Sequence, residues 1–219
     1  MKASLPKVLL PLSKTSECID TVLGRVVSCF AKSQGCRRIV VCYPSSWRSE
    51  FECYQSAFDR VLLTEGGESR QQSVLSGIRL LATTEGVSGD EVVLVHDAAR
   101  CSISHDVIER VVNGVVEHGA VTAAIPIADS LCRASVEGVV SEYVDRSALY
   151  AIQTPQGFRL ADLQLAHERA VAQGVVALDD AGLVAAQRTV RVVQGDPGNI
   201  KVTFPSDLEL IRERVRSGL

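Results

Sequence analysis

The sequence predicts an α/β protein with an open, mostly parallel, twisted sheet, helices on both faces of the sheet and a protruding β-arm. Strand-like and helix-like patterns alternate along the first half of the chain, and residues 91–96 form an apolar run without regular polar alternation. Such runs are typical of strands that are buried on both faces of a parallel sheet. A change of rhythm at residues 129–153, where short β-rich pieces flank Glu137-Gly138, predicts the arm.

The composition indicates a globular chain with enough apolar surface for a core. Its 219 residues are 46% hydrophobic, which fits a single domain over residues 1–219 with the arm at about 129–153. The formal net charge of -3 leaves no basic surplus for a phosphate backbone, so nucleic acid is not expected as a partner. The N-terminus has neither signal-peptide character nor an apolar run long enough to span a membrane, so no membrane association is expected.

The cysteines and histidines exclude two further classes of protein. Seven cysteines, an odd number without a Cys-x-x-Cys pair, predict reduced thiols in a cytoplasmic protein rather than a disulfide or zinc framework. The four histidines are scattered and show no metal-ligand spacing.

Each element of the first half has a local reason. Residues 7–12 (KVLLPL) are a short apolar run that predicts a strand, and apolar residues at helical spacing follow over 17–32. Pro44 ends the next apolar run, and the hydroxyl of Ser104 can cap a later helix. The predicted strands are 7–12, 37–43, 59–64, 91–96 and 120–128, and the predicted helices are 17–32, 47–57, 74–82 and one from about 104. This succession favours crossover connections and hence a parallel sheet.

The second half begins with the arm, which has little core of its own and is therefore expected to pack on something else, such as a second subunit. The α/β pattern then resumes with helices at 160–173 and 179–187 and a strand at 189–194. A short strand-like IKVT at 200–203 precedes a last helix, for which Ser206 is the predicted cap.

Polar side chains concentrate in the loops that follow predicted strands. Asp97 and Arg100 come directly after the 91–96 run, and the carboxyl ends of such strands are where α/β sheets place their ligands. A carboxylate and a guanidinium separated by two alanines are suited to a charged, hydroxyl-bearing substrate. The alternative is a solvated turn in which Asp97 caps the next helix.

Two other loops also permit two interpretations. Gly66 and Gly67 let the backbone approach a flat ligand, and Ser69 starts a helix whose N-terminus favours anions, although paired glycines before a helix also form ordinary turns. Lys201 lies between Ile200 and Val202, so its ammonium group either extends to solvent or meets a ligand phosphate.

Several short motifs occur once each along the chain, in the following order. They are Gly66-Gly67-Glu68-Ser69-Arg70 with Ser73-Val74, His96-Asp97-Ala98-Ala99-Arg100, Pro126 with Asp129-Ser130, Val144-Asp145-Arg146, Gln153-Thr154-Pro155-Gln156, Asp179-Asp180-Ala181, and Asn199-Ile200-Lys201-Val202-Thr203 with Asp207-Leu208. In this order and spacing the chain resembles the 2-C-methyl-D-erythritol 4-phosphate cytidylyltransferases of the non-mevalonate isoprenoid pathway. The resemblance covers residues 21–215, approximately.

The resemblance implies a transferase that joins CTP to methylerythritol phosphate and releases pyrophosphate, with Mg²⁺ as the divalent cation. It implies that the cytidine nucleotide is bound by Gly66, Gly67, Ser73, Asp97, Ala98 and Arg100. No metal ligands are assigned. Because phosphoryl transfer needs charge neutralisation more than covalent chemistry, Arg, Lys and Mg²⁺ are expected to dominate such a site.

The resemblance also implies the acceptor side of the site and a homodimer. The implied acceptor-binding residues are Asp129, Ser130, Arg146, Thr154 and Lys201, and the implied catalytic residues are Arg146, Lys201 and Lys7. The arm would exchange across the dimer, so that Arg146 of one subunit serves the neighbouring subunit's site.

The chain departs from the family pattern at its beginning. Family members open with a strand, a glycine-rich loop that carries an arginine, and then Pro-Lys, yet here no glycine precedes Gly24 and no arginine precedes Arg25. Either Pro6-Lys7 is the family's Pro-Lys and the first strand is absent, or residues 7–12 are the first strand and the loop behind it is deleted. We favour the second register, because removing a central strand would expose backbone groups of both neighbours. In this register Lys14 is the cation nearest in sequence to the end of the proposed first strand, where the family's loop would follow.

Two smaller departures are Cys101 in place of a proline and Leu178 in place of a threonine near the acceptor phosphate, while Ser130 keeps the hydroxyl of the usual threonine. Three functions are therefore considered. The first is cytidylyl transfer to methylerythritol phosphate. The second is transfer to another polyol phosphate, such as ribitol 5-phosphate, because substrate choice is sensitive to a lost hydrogen-bonding group. The third is a non-catalytic nucleotide-binding or dimeric relative that lacks the triphosphate loop.

Overall fold

The computed structural model describes residues 5–14 and 17–217. Its α-helices are α1 (Val22–Lys32), α2 (Arg48–Ala57), α3 (Arg70–Thr83), α4 (His105–His118), α5 (Leu160–Gln173), α6 (Asp180–Ala185) and α7 (Pro205–Arg216). Its strands are β1 (Ile39–Tyr43), β2 (Val61–Glu65), β3 (Val92–Val95), β4 (Ala120–Pro126), β5 (Leu131–Ala134), β6 (Val140–Val144), β7 (Tyr150–Arg159) and β8 (Arg191–Gln194). Short 3₁₀ helices occupy Lys7–Leu9, Cys18–Asp20 and Ser45–Trp47.

The strand pairing brings the loops that follow three strands to one edge of the larger sheet. Strands β1 and β2 pair in parallel, and a second sheet has the order β3-β7-β4-β8. In that sheet β7 is antiparallel to both β3 and β4, while β4 and β8 are parallel. Strands β3, β4 and β8 therefore run in one direction, and the loops that follow them leave the same edge of the sheet.

Alternate residues of β7 face helices on opposite sides of this sheet. Phe158 is fully buried in a cluster with Leu163 of α5 and Val184 of α6. A side chain at the neighbouring Gly157 would meet Val111 and Val115 of α4. Helices thus cover both faces, and the predicted α/β fold is confirmed. Parallel pairing occurs between β1 and β2 and between β4 and β8, whereas β7 is antiparallel to both of its neighbours.

The N-terminal segment differs from its prediction, because residues 7–12 do not form a strand. Lys7–Leu9 is a 3₁₀ helix, and Pro11 makes only an isolated antiparallel bridge with Thr21. Prolines precede and interrupt this segment, and proline cannot donate to a strand ladder. Leu9 and Leu12 are instead buried in two different apolar clusters, and the β1–β2 pair forms a sheet of its own.

Two predicted helix caps and one short strand are also corrected. Ser104 lies at the N-cap of α4, but its hydroxyl makes no capping hydrogen bond. Ser206 lies inside α7, where the carboxylate of Asp207 instead accepts from the backbone N–H of Thr203 and Phe204. Residues 200–203 form no strand, because the only ladder-like bond there is the one from Val202 N–H to the Ala99 carbonyl, at 2.8 Å.

The arm is an antiparallel hairpin formed by β5 and β6. Gly138 turns the chain at a φ of +82°, a conformation in which a side chain would be strained. Large apolar side chains on and beside the hairpin are exposed, including Val136, Val139 and Tyr143. Within the described ranges, none of the helices has the length and apolar character that a membrane crossing requires.

Candidate active site

Asp97 follows the carboxyl end of β3, and its carboxylate is the centre of the candidate site. Nε of Arg70 lies 3.2 Å from Oδ1, and Nζ of Lys201 lies 2.8 Å from Oδ2. Nε of Arg100 lies farther away, 3.8 Å from Oδ2. The side chain of Asp97 is 14% exposed and that of Lys201 is 44% exposed, so the lysine forms the solvent side of the cluster. Three cations around one carboxylate favour an anionic ligand.

The cations hold Asp97 in its ionised form. Burial would raise the pKa of Asp97, but the hydrogen bond and charge of Lys201, followed by those of Arg70, outweigh burial and place the pKa below its ordinary value. For Arg70 burial would lower the pKa, but the carboxylates of Asp180 and Asp97 raise it above its ordinary value. Burial lowers the pKa of Arg100, and Asp97 opposes that shift.

A chain of hydrogen bonds fixes the backbone of the loop that carries Asp97. The N–H of Asp97 donates to Oγ1 of Thr154 over 3.0 Å, and that hydroxyl lies 3.1 Å from Nδ1 of His96. Nε2 of His96 lies 3.1 Å from the carbonyl of Arg100. Burial lowers the pKa of His96 to about 4, so the ring is neutral at pH 7. Since a carbonyl only accepts, Nε2 carries the proton and Nδ1 accepts from Thr154.

The loop after β8 is hydrogen-bonded to the Asp97 loop and to Thr154, and these bonds position Lys201. Nδ2 of Asn199 donates to the Thr154 carbonyl over 2.7 Å, and Nη1 of Arg100 donates to the Asn199 carbonyl over 2.8 Å. The bond from Val202 to Ala99 then holds the backbone on the far side of Lys201. Arg100 and Thr154 thus make bonds within the protein, in addition to the nucleotide and acceptor roles that the resemblance implies for them.

The paired-glycine turn lies between β2 and α3. Gly66 N–H donates to the Tyr43 carbonyl over 2.9 Å, and Gly67 N–H donates to Oγ of Ser73 over 3.1 Å. A Cβ atom on Gly67 would lie 2.3 Å from the Cβ of Gln72, so only glycine fits there. The capping box of Ser69 and Gln72 then starts α3.

Arg70, the first residue of α3, joins this turn to Asp97, since its Nε binds that carboxylate. Of the other residues implied to bind the nucleotide, Ala98 packs against the apolar cluster that contains Tyr43. The turn, Ala98 and Arg100 therefore converge on one region of the structure.

Two polar residues beside the site, Asp180 and His167, are assigned no role by the sequence analysis. Asp180, at the start of α6, accepts from Nη1 of Arg70 over 2.7 Å, and its other oxygen lies 2.9 Å from Nε2 of His167. Arg70 and Asp180 both occur within the matched motifs, but the pairing joins residues 110 positions apart and has no local signal. His167 lies on the buried face of α5, where periodicity marks it only as a core residue.

Four residues implied by the resemblance lie outside this cluster. Asp129 and Ser130 are exposed and follow β4, at the edge of the sheet where Asp97 follows β3. Arg146 is exposed on the arm, and its side chain has no hydrogen-bond or ion-pair partner in the described part of the chain. Lys7 is exposed near α7, where its charge adds to the backbone bonds from Phe204 and Thr203 that lower the pKa of Asp207.

The described residues contain no group of three His, Cys, Asp or Glu side chains that could hold a metal ion. The carboxylate of Asp97 is already engaged by cations. A nucleotide-bound Mg²⁺ is held largely by phosphate oxygens and water, and such a complex does not require a dedicated protein cage.

The fold and the site define a nucleotidyltransferase of the nucleotide-diphospho-sugar transferase type, as solved structures of similar fold indicate. A crystal structure of a 4-diphosphocytidyl-2C-methyl-D-erythritol synthase superposes with a TM-score of 0.83 at 29% identity and covers 96% of this chain and 95% of that one. The 2-C-methyl-D-erythritol 4-phosphate cytidylyltransferase from Thermus thermophilus superposes with a TM-score of 0.79 at 31% identity, covering 96% and 94%.

Sequence comparison gives the family. The model of the family IspD, 2-C-methyl-D-erythritol 4-phosphate cytidylyltransferase, matches residues 1–216, and the chain belongs to this family. The cytidylyltransferase of that name from Geobacillus kaustophilus is 37% identical over 213 residues, which cover 95% of this chain and 88% of the relative. The one from Synechococcus sp. is 42% identical over 157 residues, covering 71% and 68%. The resemblance found in the motifs is confirmed.

Proposed function

We propose that this protein transfers the cytidylyl group from CTP to 2-C-methyl-D-erythritol 4-phosphate and releases pyrophosphate, as a step of non-mevalonate isoprenoid precursor synthesis. One observation carries the proposal in a member of this family: Asp97, at the end of β3, is surrounded by Arg70, Arg100 and Lys201 beside the paired-glycine turn. A phosphate oxygen of the acceptor attacks the α-phosphorus of CTP, a new P–O bond forms, and the bond to the β-phosphate breaks as pyrophosphate leaves.

The nucleotide is proposed to lie along the turn. The backbone of Gly66 and Gly67 is proposed to face the flat base, and the hydroxyl of Ser73, which accepts from the Gly67 N–H, fixes the shape of the turn. Ala98 and Arg100 lie on the loop that carries Asp97, and this loop is proposed to face the ribose. This assignment is supported by the packing of Ala98 in the same apolar cluster as Tyr43, whose carbonyl accepts from the Gly66 N–H, and by the N-terminus of α3, whose N–H groups favour phosphate.

The acceptor phosphate is proposed to bind Lys201 and Arg146. Lys201 is the most exposed cation of the cluster, and its ammonium group can leave Asp97 for a phosphate as a point charge. The guanidinium of Arg146, which has no partner among the residues that the structure describes, can bind phosphate through charge-assisted bonds. Asp129 and Ser130 follow β4 and are exposed, so they can supply a carboxylate and a hydroxyl for the polyol. The role proposed for Thr154 in acceptor binding is indirect, because its hydroxyl is engaged by the Asp97 N–H and by His96.

Arg146 is proposed to act across a homodimer. The exposed apolar side chains of the arm, Val136, Val139 and Tyr143, form the kind of surface that a partner subunit covers. A swapped arm would bury them and bring Arg146 to the neighbouring subunit's Lys201.

Mg²⁺ is proposed to enter as the CTP complex, where it neutralises triphosphate charge. Lys7 and Lys14 are exposed in the N-terminal segment and can assist Mg²⁺ in neutralising the triphosphate. No glycine precedes Gly24 in this segment. A cytoplasmic location is proposed because the seven cysteines are free thiols.

The test is a pyrophosphate-release assay with purified protein, CTP, Mg²⁺ and methylerythritol phosphate. Turnover is expected, and Lys201→Ala is expected to lower it by about 100-fold because the acceptor phosphate loses its point charge. Lys32→Ala, which removes an exposed lysine at the end of α1, is the matched control and should behave as wild type. Absence of turnover above the Lys201→Ala level would refute the proposal.

A further inference from the structure

A line of hydrogen bonds and ion pairs runs from His167 in the core of α5 to the candidate site. Nε2 of His167 lies 2.9 Å from Asp180, Asp180 binds Arg70 over 2.7 Å, Arg70 binds Asp97 over 3.2 Å, and Asp97 binds Lys201 over 2.8 Å. Neither the family resemblance nor the site described above explains why this line continues beyond Arg70.

Asp180 is too deeply buried to be a surface counter-ion. Its side chain is 1% exposed, and its two oxygens are divided between His167 and Arg70. Burying such a charge costs free energy even when it is paired, and replacing a buried ion pair by apolar residues is often neutral or stabilising. Stability is therefore a weak reason for this carboxylate.

Within residues 5–14 and 17–217, Asp180 is the one hydrogen-bond partner of the His167 ring. The ring is fully buried, and its Nδ1 atom has no hydrogen-bond partner. Because a carboxylate only accepts, Nε2 carries a proton and donates to Asp180. The histidine thus fixes the position of the carboxylate that receives Arg70.

The guanidinium of Arg70 is held at two points. Nη1 binds Asp180, and Nε then faces Oδ1 of Asp97. Lys201 binds the other oxygen of Asp97. Nε of Arg100 lies 3.8 Å from that oxygen and makes no hydrogen bond to any described residue. If Lys201 moved to a phosphate, Arg70 would be the one close cation left on Asp97 among the described residues.

We propose that Arg70 is the permanent counter-ion of Asp97, which allows Lys201 to leave Asp97 for the acceptor phosphate, and that Asp180 and His167 are positioning residues that hold Arg70 in this role. The inference rests on the proposed function. Without the charge of Asp180, Arg70 is no longer aimed at Asp97. The carboxylate then depends more on Lys201, and the acceptor must compete with a stronger pairing.

The test compares steady-state kinetics of wild type, Asp180→Asn and Arg70→Gln, with the acceptor varied at saturating CTP and CTP varied at saturating acceptor. Both variants should raise the KM for methylerythritol phosphate by about tenfold, the effect of weakening a charge-assisted bond, and change the KM for CTP by less than about twofold. Asp162→Asn is the matched control, because Asp162 binds Arg188 at the same 2.7 Å but away from the site.

The pH profile separates positioning from a merely structural effect. Arg70, Lys201, Arg100 and the neighbouring His96 are the charged and titratable groups around Asp97. With the charge of Arg70 displaced, Asp97 takes up a proton at higher pH when Lys201 leaves. The acid limb of kcat/KM for the acceptor should therefore move to higher pH in both variants and stay in place in Asp162→Asn.

The inference is overturned if folded variants keep the wild-type acceptor KM and acid limb, or if kcat and both KM values change alike at every pH. Should Asp180→Asn fail to fold, Arg70→Gln decides, because the Arg70 side chain is 37% exposed and the substitution is better tolerated. An inactive wild type would refute the proposed function itself. An active wild type with unaffected variants would refute this inference alone.

Discussion

The charge cluster and the arm both carry residues implied in acceptor binding, yet they are built in opposite ways. Around Asp97 each charged side chain has a partner from the same chain, and backbone bonds fix the loops. On the arm, Arg146 has no partner in the described residues, and Val136, Val139 and Tyr143 are exposed. The contrast is what the proposed dimer would produce, with the nucleotide side completed within one chain and the acceptor side completed by the arm of a second chain.

The largest effect is expected from Asp97→Asn, which leaves three cations around a neutral amide. Mutual repulsion should displace Lys201 and Arg70, and kcat/KM for the acceptor should fall by about 1000-fold, as when pre-organised electrostatics are lost. Steady-state pyrophosphate release measures this, with Asp162→Asn as the control. A loss below about tenfold would show that the cluster is not the centre of the site.

The arm is tested by Arg146→Ala, which should weaken acceptor use by about 100-fold and leave CTP affinity nearly unchanged. Titration calorimetry measures the affinity for CTP, and kinetics with varied acceptor concentration measure acceptor use. Arg133→Ala, on the same hairpin but paired with Glu142, is the matched control. Equal losses of CTP and acceptor binding would remove the distinction between the two regions.

The hydrogen bonds of His96, which hold the Asp97 loop in place, are tested by the pH dependence of the unfolding free energy. Since burial lowers the pKa of His96 to about 4 from 6.5, the unfolded chain binds a proton that the folded chain does not as pH falls through this window. His96 should therefore cost up to about 1.4 kcal/mol of unfolding free energy per pH unit between pH 6 and 4.5. Urea unfolding at both pH values should show a shallower loss in His96→Gln. An unchanged slope in this variant would mean that His96 is not the titrating group.

The smallest effect is expected at Leu178, at the edge of the candidate site. Leu178 is fully exposed beside a small cavity lined by Arg70 and Asp180, and it stands where family members are expected to have threonine. Leu178→Thr should lower the KM for methylerythritol phosphate by about two- to fivefold, because a hydroxyl adds one hydrogen bond. A panel assay should show no gain with ribitol 5-phosphate. Better turnover of ribitol 5-phosphate by wild type would instead support the second acceptor considered from the sequence.

Much of the fold could be predicted because its signals are local. Helix α5 was predicted with its observed bounds, since its apolar spacing ends at Gly174, which adopts a φ of +64°. The strand predicted at residues 7–12 is wrong, because an apolar run of six residues fits a strand or a short helix equally well, and Pro6 and Pro11 cannot donate to a strand ladder.

The site could be predicted only in part. Asp97, Arg100 and Lys201 were found because they follow strand-like runs, and strand ends meet at one sheet edge. The role of Asp180 was not found, since its pairing with Arg70 depends on how α6 packs against the start of α3. Sequence periodicity carries no information about such a contact.

Subunit mixing tests the central claim most directly, namely that one chain builds the cluster and another supplies the arm. Arg146→Ala and Lys201→Ala proteins, each nearly inactive alone, are mixed in equal amounts and allowed to exchange subunits, with exchange confirmed by two affinity tags. The account predicts recovery to about one quarter of wild-type activity, because half of the dimers are mixed and each mixed dimer has one intact site. Confirmed exchange without any recovery would contradict it and place Arg146 and Lys201 in the same chain's site.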